Sequence, residues 1–157
     1  SLEVGLTQTQ STAAANILIH GISGSEQRAG LAPHEALLAW LEFAQGAPRV
    51  AFHAGFDQTV LQRAEREQLG LSNAAPWFDA AVVAPLLFPE AAPHCRHLDD
   101  WLAHFGLAVY ARHGALADAF ATAELWLVLL QAAQRENIAT AHQLRGLLRA
   151  RRWLPAN

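Results

Sequence analysis

Two aspartates and one histidine stand where chemistry could be built. In Val50-Ala51-Phe52-His53-Ala54-Gly55-Phe56-Asp57, a short apolar run passes through a small-residue turn into a segment of helical spacing. Such a strand–turn–helix unit places the residues of the junction over the strand's end, where open α/β sheets bind ligands. Asp57 then falls in the first helical turn. There it is either a residue matched to the helix dipole or a carboxylate offered to a cation. In His113-Gly114-Ala115-Leu116-Ala117-Asp118-Ala119, a histidine sits in a loop just before a long helix and an aspartate follows in its opening turns. A metal-bound carboxylate beside a base that takes a proton from water needs this layout, although either residue alone reads as an ordinary loop or helix-start residue.

The elements that must carry these residues follow from the pattern. Leu2, Val4 and Leu6 alternate as a strand does, and Gly21, Gly24 and Gly30 mark an irregular connection. Pro33 suits a first helical turn, after which Leu37, Leu38, Trp40, Leu41 and Phe43 give one helical face that stops at Gly46 and Pro48. The run Val50–Phe52 reads as a strand broken at Gly55, with a helix to Gly70. A second copy of this unit is Trp77-Phe78 followed by a helix over Ala80–Leu87. Leu98, Trp101, Leu102 and Phe105 pattern a helix closed by Gly106. The longest helix runs from about Leu116 to Asn137, offering Ala119, Phe120, Ala123, Leu127 and Leu130 to the core, and a last one covers Thr140–Trp153 with Arg145, Arg149 and Arg152 on a solvated side.

Composition bounds the class. The chain has 157 residues, 52% of them hydrophobic and 16% charged, enough for one packed domain over residues 1–157 and too apolar for disorder. Its apolar runs are broken well short of the roughly 20 residues that cross a bilayer, so no membrane partner is expected. A single cysteine, Cys95, allows no intrachain disulfide. With His94 and His97 it makes a poor zinc set, and a reducing cytoplasmic setting is the expectation. Asp79, Asp99 and Asp100 read as helix N-terminal residues, and the tryptophans as core. The net charge of −3 does not advertise a phosphate-tracking surface. Carboxylates that hold divalent metals can nevertheless receive a phosphodiester. The chain has no methionine and opens at Ser1, which suggests a piece of something longer.

In combination these strings resemble the DEDD superfamily of 3′→5′ exonucleases, in the branch with histidine in its third motif, which includes the epsilon subunit of bacterial DNA polymerase III and RNase T. The third motif is intact as His113, Ala115, Asp118 and Ala119, followed by Thr122-Ala123-Glu124-Leu125. Val50–Asp57 is similar to the second motif, and Trp77-Phe78-Asp79, Leu98–Leu102 and Phe105-Gly106-Leu107 match in order and spacing. The resemblance implies an α/β ribonuclease H-like fold, a mixed five-stranded sheet flanked by helices. It also implies hydrolysis of single-stranded DNA, or of RNA, from the 3′ end to nucleoside monophosphates, with two Mg²⁺ or Mn²⁺ ions held by four acidic residues. Asp57 and Asp118 would be metal ligands and His113 the general base. His20, Ile22 and Phe56 would lie beside the terminal nucleotides, and a DNA polymerase would be a further partner.

Two departures stand out. The family's first motif, D-x-E, supplies the other two carboxylates and is absent from the sequence. Leu2–Leu6 is then read as the third strand, the first two being missing, and the chain by itself is expected to be nearly inactive. Phe52-His53 also replaces the usual His-Asn. The alternative reading is a degenerate, non-catalytic exonuclease-like module that binds a polymerase or nucleic acid.

Overall fold

The structure, a computed structural model, describes residues 25, 29–108 and 115–151. Among these residues six helices accompany two short strands, in the order α1 (Pro33–Ala44), β1 (Arg49–Ala51), α2 (Ala54–Leu69), β2 (Trp77–Asp79), α3 (Ala80–Leu87), α4 (Leu98–His104), α5 (Ala115–Arg135) and α6 (Ala141–Arg151). The expected α/β class holds. Of the expected five-stranded sheet, the described residues contribute one parallel pair, with Arg49 opposite Trp77, Val50 opposite Phe78 and Ala51 opposite Asp79. Parallel neighbours need a crossover, which α2 provides. Both strands therefore end at the same sheet edge, where α2 and α3 begin. The strand expected over Leu2–Leu6 lies outside the described residues.

Local sequence explains most boundaries. Pro33 occupies the first turn of α1, and Gln45 and Gly46 leave the helix at φ 45° and 73°. Gly70 caps α2 at φ 64°, its N–H donating to the Arg66 carbonyl. The break after β1 falls at Phe52-His53 rather than at Gly55, which is already inside α2. Asp79 caps α3, as its N-terminal position suggests, by accepting from the Ala81 amide at 3.0 Å. Pro85 forgoes one helical hydrogen bond inside α3, and that helix ends at Leu87.

The core centres on Phe78, Val83, Trp101, Leu102, Leu125 and Leu129, all 0–2% exposed. Here the face expected of α5 is corrected. Ala121, Thr122, Leu125, Leu129 and Ala133 are buried, against α3, α4 and β1, whereas Phe120 and Leu127 are 50% and 66% exposed. The helix is apolar almost all round, so periodicity alone does not say which side packs. By length and apolarity α5 even matches a membrane span, which the broken apolar runs of the sequence did not suggest. In α1, Ala36 and Leu37 are buried while Leu38 and Phe43 face outward. In α6, Leu144 is buried and Arg145 and Arg149 are exposed, as the pattern indicates.

Sequence reading missed the buried ion pair. Arg49 Nη2 lies 3.2 Å from Glu65 Oε1, with the side chains 4% and 0% exposed. The guanidinium carbon sits 5.4 Å from the Trp40 ring centroid and 5.5 Å from that of Trp77. Indole faces attract a cation, most strongly where water is excluded. Glu65→Ala would leave a buried, unpaired arginine and is expected to cost about 3–5 kcal/mol in urea unfolding, whereas Arg49→Met with Glu65→Leu should recover most of the loss.

Candidate active site

The site is organised by three helix starts. α2 is preceded by His53, its N-cap, which adopts φ 63° and ψ 48°. The left-handed region is uncommon outside glycine, with asparagine, aspartate and histidine the residues most enriched there. Histidine at position 53, where the resembling motif has asparagine, is thus among the residues that tolerate this conformation. Asp57 follows in the first turn of α2, and Asp118 lies, half-buried, in the first turn of α5. α4 starts at Leu98 and is fixed by Asp100, whose Oδ2 accepts from the amides of Arg96 at 2.9 Å and His97 at 2.8 Å. Those two bonds hold the Asp100 carboxyl below its ordinary pKa.

The three starts face one cleft of about 850 Å³. Its walls include Phe52, His53 and Asp57 on one side, Asp118, Ala119 and Thr122 of α5 on another, and His97 with Leu98 at the head of α4. Ala119, Ala123 and Leu127, expected in the core, line the cleft instead. Small side chains at 119 and 123 leave room in front of Asp118.

Of the residues singled out in the sequence, Asp57 and Asp118 are thus brought to the same cavity. Phe56 is 76% exposed. His113, His20 and Ile22 lie outside the described residues. Reasoning from the sequence did not foresee the cleft positions of His53 and His97. In the sequence the first stands out only as a departure from a pattern, and the second only as a neighbour of Cys95. Cys95 itself is buried, and burial, then the charge of Asp100, pushes its thiol pKa up, away from the thiolate that zinc requires.

Asp57 is itself exposed, and partial desolvation at the cleft wall is the largest influence on its carboxyl and raises its pKa; a hydrogen bond to backbone lowers it, and the charge of Asp79 raises it. Carboxylate oxygens suit hard divalent cations, and a cation in the cleft would relieve this crowding of negative charge. Among the described residues no group of three or more His, Cys, Asp or Glu side chains is placed to hold a metal ion. The donors therefore fit a divalent metal in kind while supplying two carboxylates.

A carboxyl whose pKa is raised by folding favours the folded state below its unfolded pKa, and this contribution is lost as pH rises through the folded value. Asp57→Asn is accordingly expected to raise the melting temperature by a few degrees at most at pH 7 in the presence of EDTA. The difference should shrink toward zero as pH falls below the ordinary aspartate range, as followed by circular dichroism.

Comparison with known proteins bears on this geometry. A family model described as an exonuclease, that of RNase T, matches residues 4–126, which include every element from α1 to α4 and the first half of α5. A DNA polymerase III subunit epsilon-like protein of Rhodobacter capsulatus is 33% identical over 129 residues, 81% of this chain and 18% of its own length. A PolC-type DNA polymerase III of Caldanaerobacter subterraneus subsp. tengcongensis is 29% identical over 117 residues, 74% of this chain and 8% of its own. The chain thus spans less than a fifth of either relative. Its parallel α/β unit, with helices starting at one sheet edge, is consistent with a ribonuclease H-like fold. The chain belongs to the RNase T exonuclease family of the DEDD superfamily and is DnaQ-like.

Proposed function

We propose that this chain carries the part of a 3′→5′ exonuclease site formed by the second and third motifs, acting on single-stranded DNA in preference to RNA. The observation that supports it best is that Asp57 of α2 and Asp118 of α5, far apart in sequence, line one cleft. In this reading both carboxylates hold Mg²⁺ or Mn²⁺. When bound, such ions activate an attacking water and stabilise the negative charge on the departing 3′ oxygen. His113, two residues before α5 begins, removes the proton from that water. Phe56, whose exposed ring can stack on a base without reading sequence, lies beside the terminal nucleotides with His20 and Ile22. The products are nucleoside monophosphates. The preference for DNA, and a DNA polymerase as partner, draw support from the names of the two relatives.

A two-ion site needs more carboxylates than these two. No D-x-E string occurs in the 157 residues, so the chain by itself should bind ions weakly and cut little. The same feature favours a second reading, a non-cutting module that holds nucleic acid or a polymerase. The two are separated by joining a D-x-E-bearing strand segment ahead of Ser1 and following a 5′-labelled single strand with Mn²⁺. The nuclease reading expects stepwise shortening from the 3′ end, reduced by about 10²–10⁴-fold in His113→Ala and abolished in Asp118→Ala. Unchanged digestion in Asp118→Ala would overturn the site, and binding without shortening would favour the module.

A further inference from the structure

We infer that Asp79 is the positioning residue for Asp57, an inference that rests on the reading of Asp57 as a metal ligand. Asp79 ends β2, directly across from Ala51. Its Oδ1 accepts from two backbone amides, that of Ala81 at 3.0 Å and that of His53 at 2.9 Å. The first bond is an N-cap, which any helix start following a strand would favour. The second is a different kind of contact. It reaches across 26 residues to the junction where β1 becomes α2, and so ties together the helix starts that follow both strands.

The amide it holds belongs to a residue whose backbone needs holding. His53 adopts φ 63° and ψ 48° without being glycine, and its own side chain makes no capping bond to α2. Residues in this conformation persist where their surroundings over-determine them, and they concentrate at functional sites. Among the described residues, the contact that fixes the His53 N–H is the Asp79 carboxylate. The dihedrals of His53 set the direction in which α2 leaves the sheet. Asp57 stands one helical turn further on, so a rotation at His53 would swing its carboxyl relative to Asp118 on α5. β1 and β2 are each three residues long and cannot fix that direction alone. Asp79 thus converts the end of one strand into an anchor for the carboxylate carried by the next helix of the other.

An uncharged acceptor of the same shape would serve both amides, and this separates positioning from any direct role for the Asp79 charge. The test uses the full chain, with amide hydrogen exchange at His53 and Ala81 and Mn²⁺-induced broadening of the amide signals around Asp57, both read by NMR. Asp79→Ala is expected to speed exchange at His53 by tenfold or more and to weaken the broadening several-fold. Asp79→Asn should restore both. Adding His53→Gly to Asp79→Ala should recover much of the broadening, since glycine takes positive φ freely. If Asp79→Ala alone does not fold, recovery of folding by His53→Gly supports the role and failure to recover overturns it. Unchanged exchange at His53 in Asp79→Ala overturns the inference, as does an Asp79→Asn form that keeps His53 protected yet loses Mn²⁺ as fully as the alanine form. Absence of Mn²⁺ broadening in the unmodified chain would instead count against the metal reading, leaving exchange at His53 to decide whether Asp79 holds the turn.

Discussion

The buried contact between Arg49 and Glu65 is the constraint on which the rest of this architecture depends. Two parallel strands of three residues make too few ladder bonds to define how a helix lies across them. Arg49 begins β1, Trp77 begins β2 directly opposite it, and Glu65 reaches in from the middle of α2. The guanidinium is enclosed by the faces of Trp40 and Trp77, so four elements meet around one charge. Burying an ion pair gains little over burying well-packed apolar groups, but separating its partners is costly. Its effect is therefore on geometry. α2 cannot slide along the sheet without drawing Glu65 away from Arg49.

That pin acts at the beginning of the strands, while the cleft opens at their ends. The Asp79–His53 bond closes the far end of the same β1–α2–β2 unit, so α2 is held in its middle by a buried charge and at its start by a carboxylate accepting backbone amides. α5 completes the cleft by dividing its circumference. The side carrying Ala121, Leu125 and Leu129 packs in the core, and the side carrying Asp118, Ala119 and Ala123 faces the cavity. A helix apolar on both sides can do this because the cavity side keeps small residues near its acidic group.

How far the sequence speaks for this arrangement differs from residue to residue. The bounds of β2 and α3, and the caps at Gly70 and Gly106, follow from local rules about apolar runs and the residues that tolerate positive φ. The sharing of one cleft by Asp57 and Asp118 was legible because each sits at a helix start beside a recognisable string. The packed side of α5 was not legible, since an almost uniformly apolar helix has no polar face to betray it. Nor was Arg49–Glu65. Taken singly, an arginine before a short strand and a glutamate within a charged helix both look solvent-facing, and their burial depends on two tryptophans that only the fold brings together. Likewise Asp79 reads as a helix cap, which it is, and its second bond exists only because parallel pairing places it near His53.

The distribution of favourable and unfavourable local terms follows the same division. Unfavourable ones gather at the cleft edge: His53 is held at positive φ, and the carboxyl of the exposed Asp57 has its pKa raised by partial desolvation and by the charge of Asp79. Neither helps the isolated fold, and both lie where the start of α2 lines the cleft. The most deeply buried side chains lie away from that edge, among them Phe78, Trp101, Leu102 and Leu125, each 0–2% exposed. A turn strained by about 1–3 kcal/mol can persist when it joins elements already fixed by such packing. The rigidity that makes the cleft an acidic site is thus supplied by residues that never reach it, and a substitution in the Arg49–Glu65–tryptophan cluster should disturb Asp57 through the direction of α2 without touching its carboxyl.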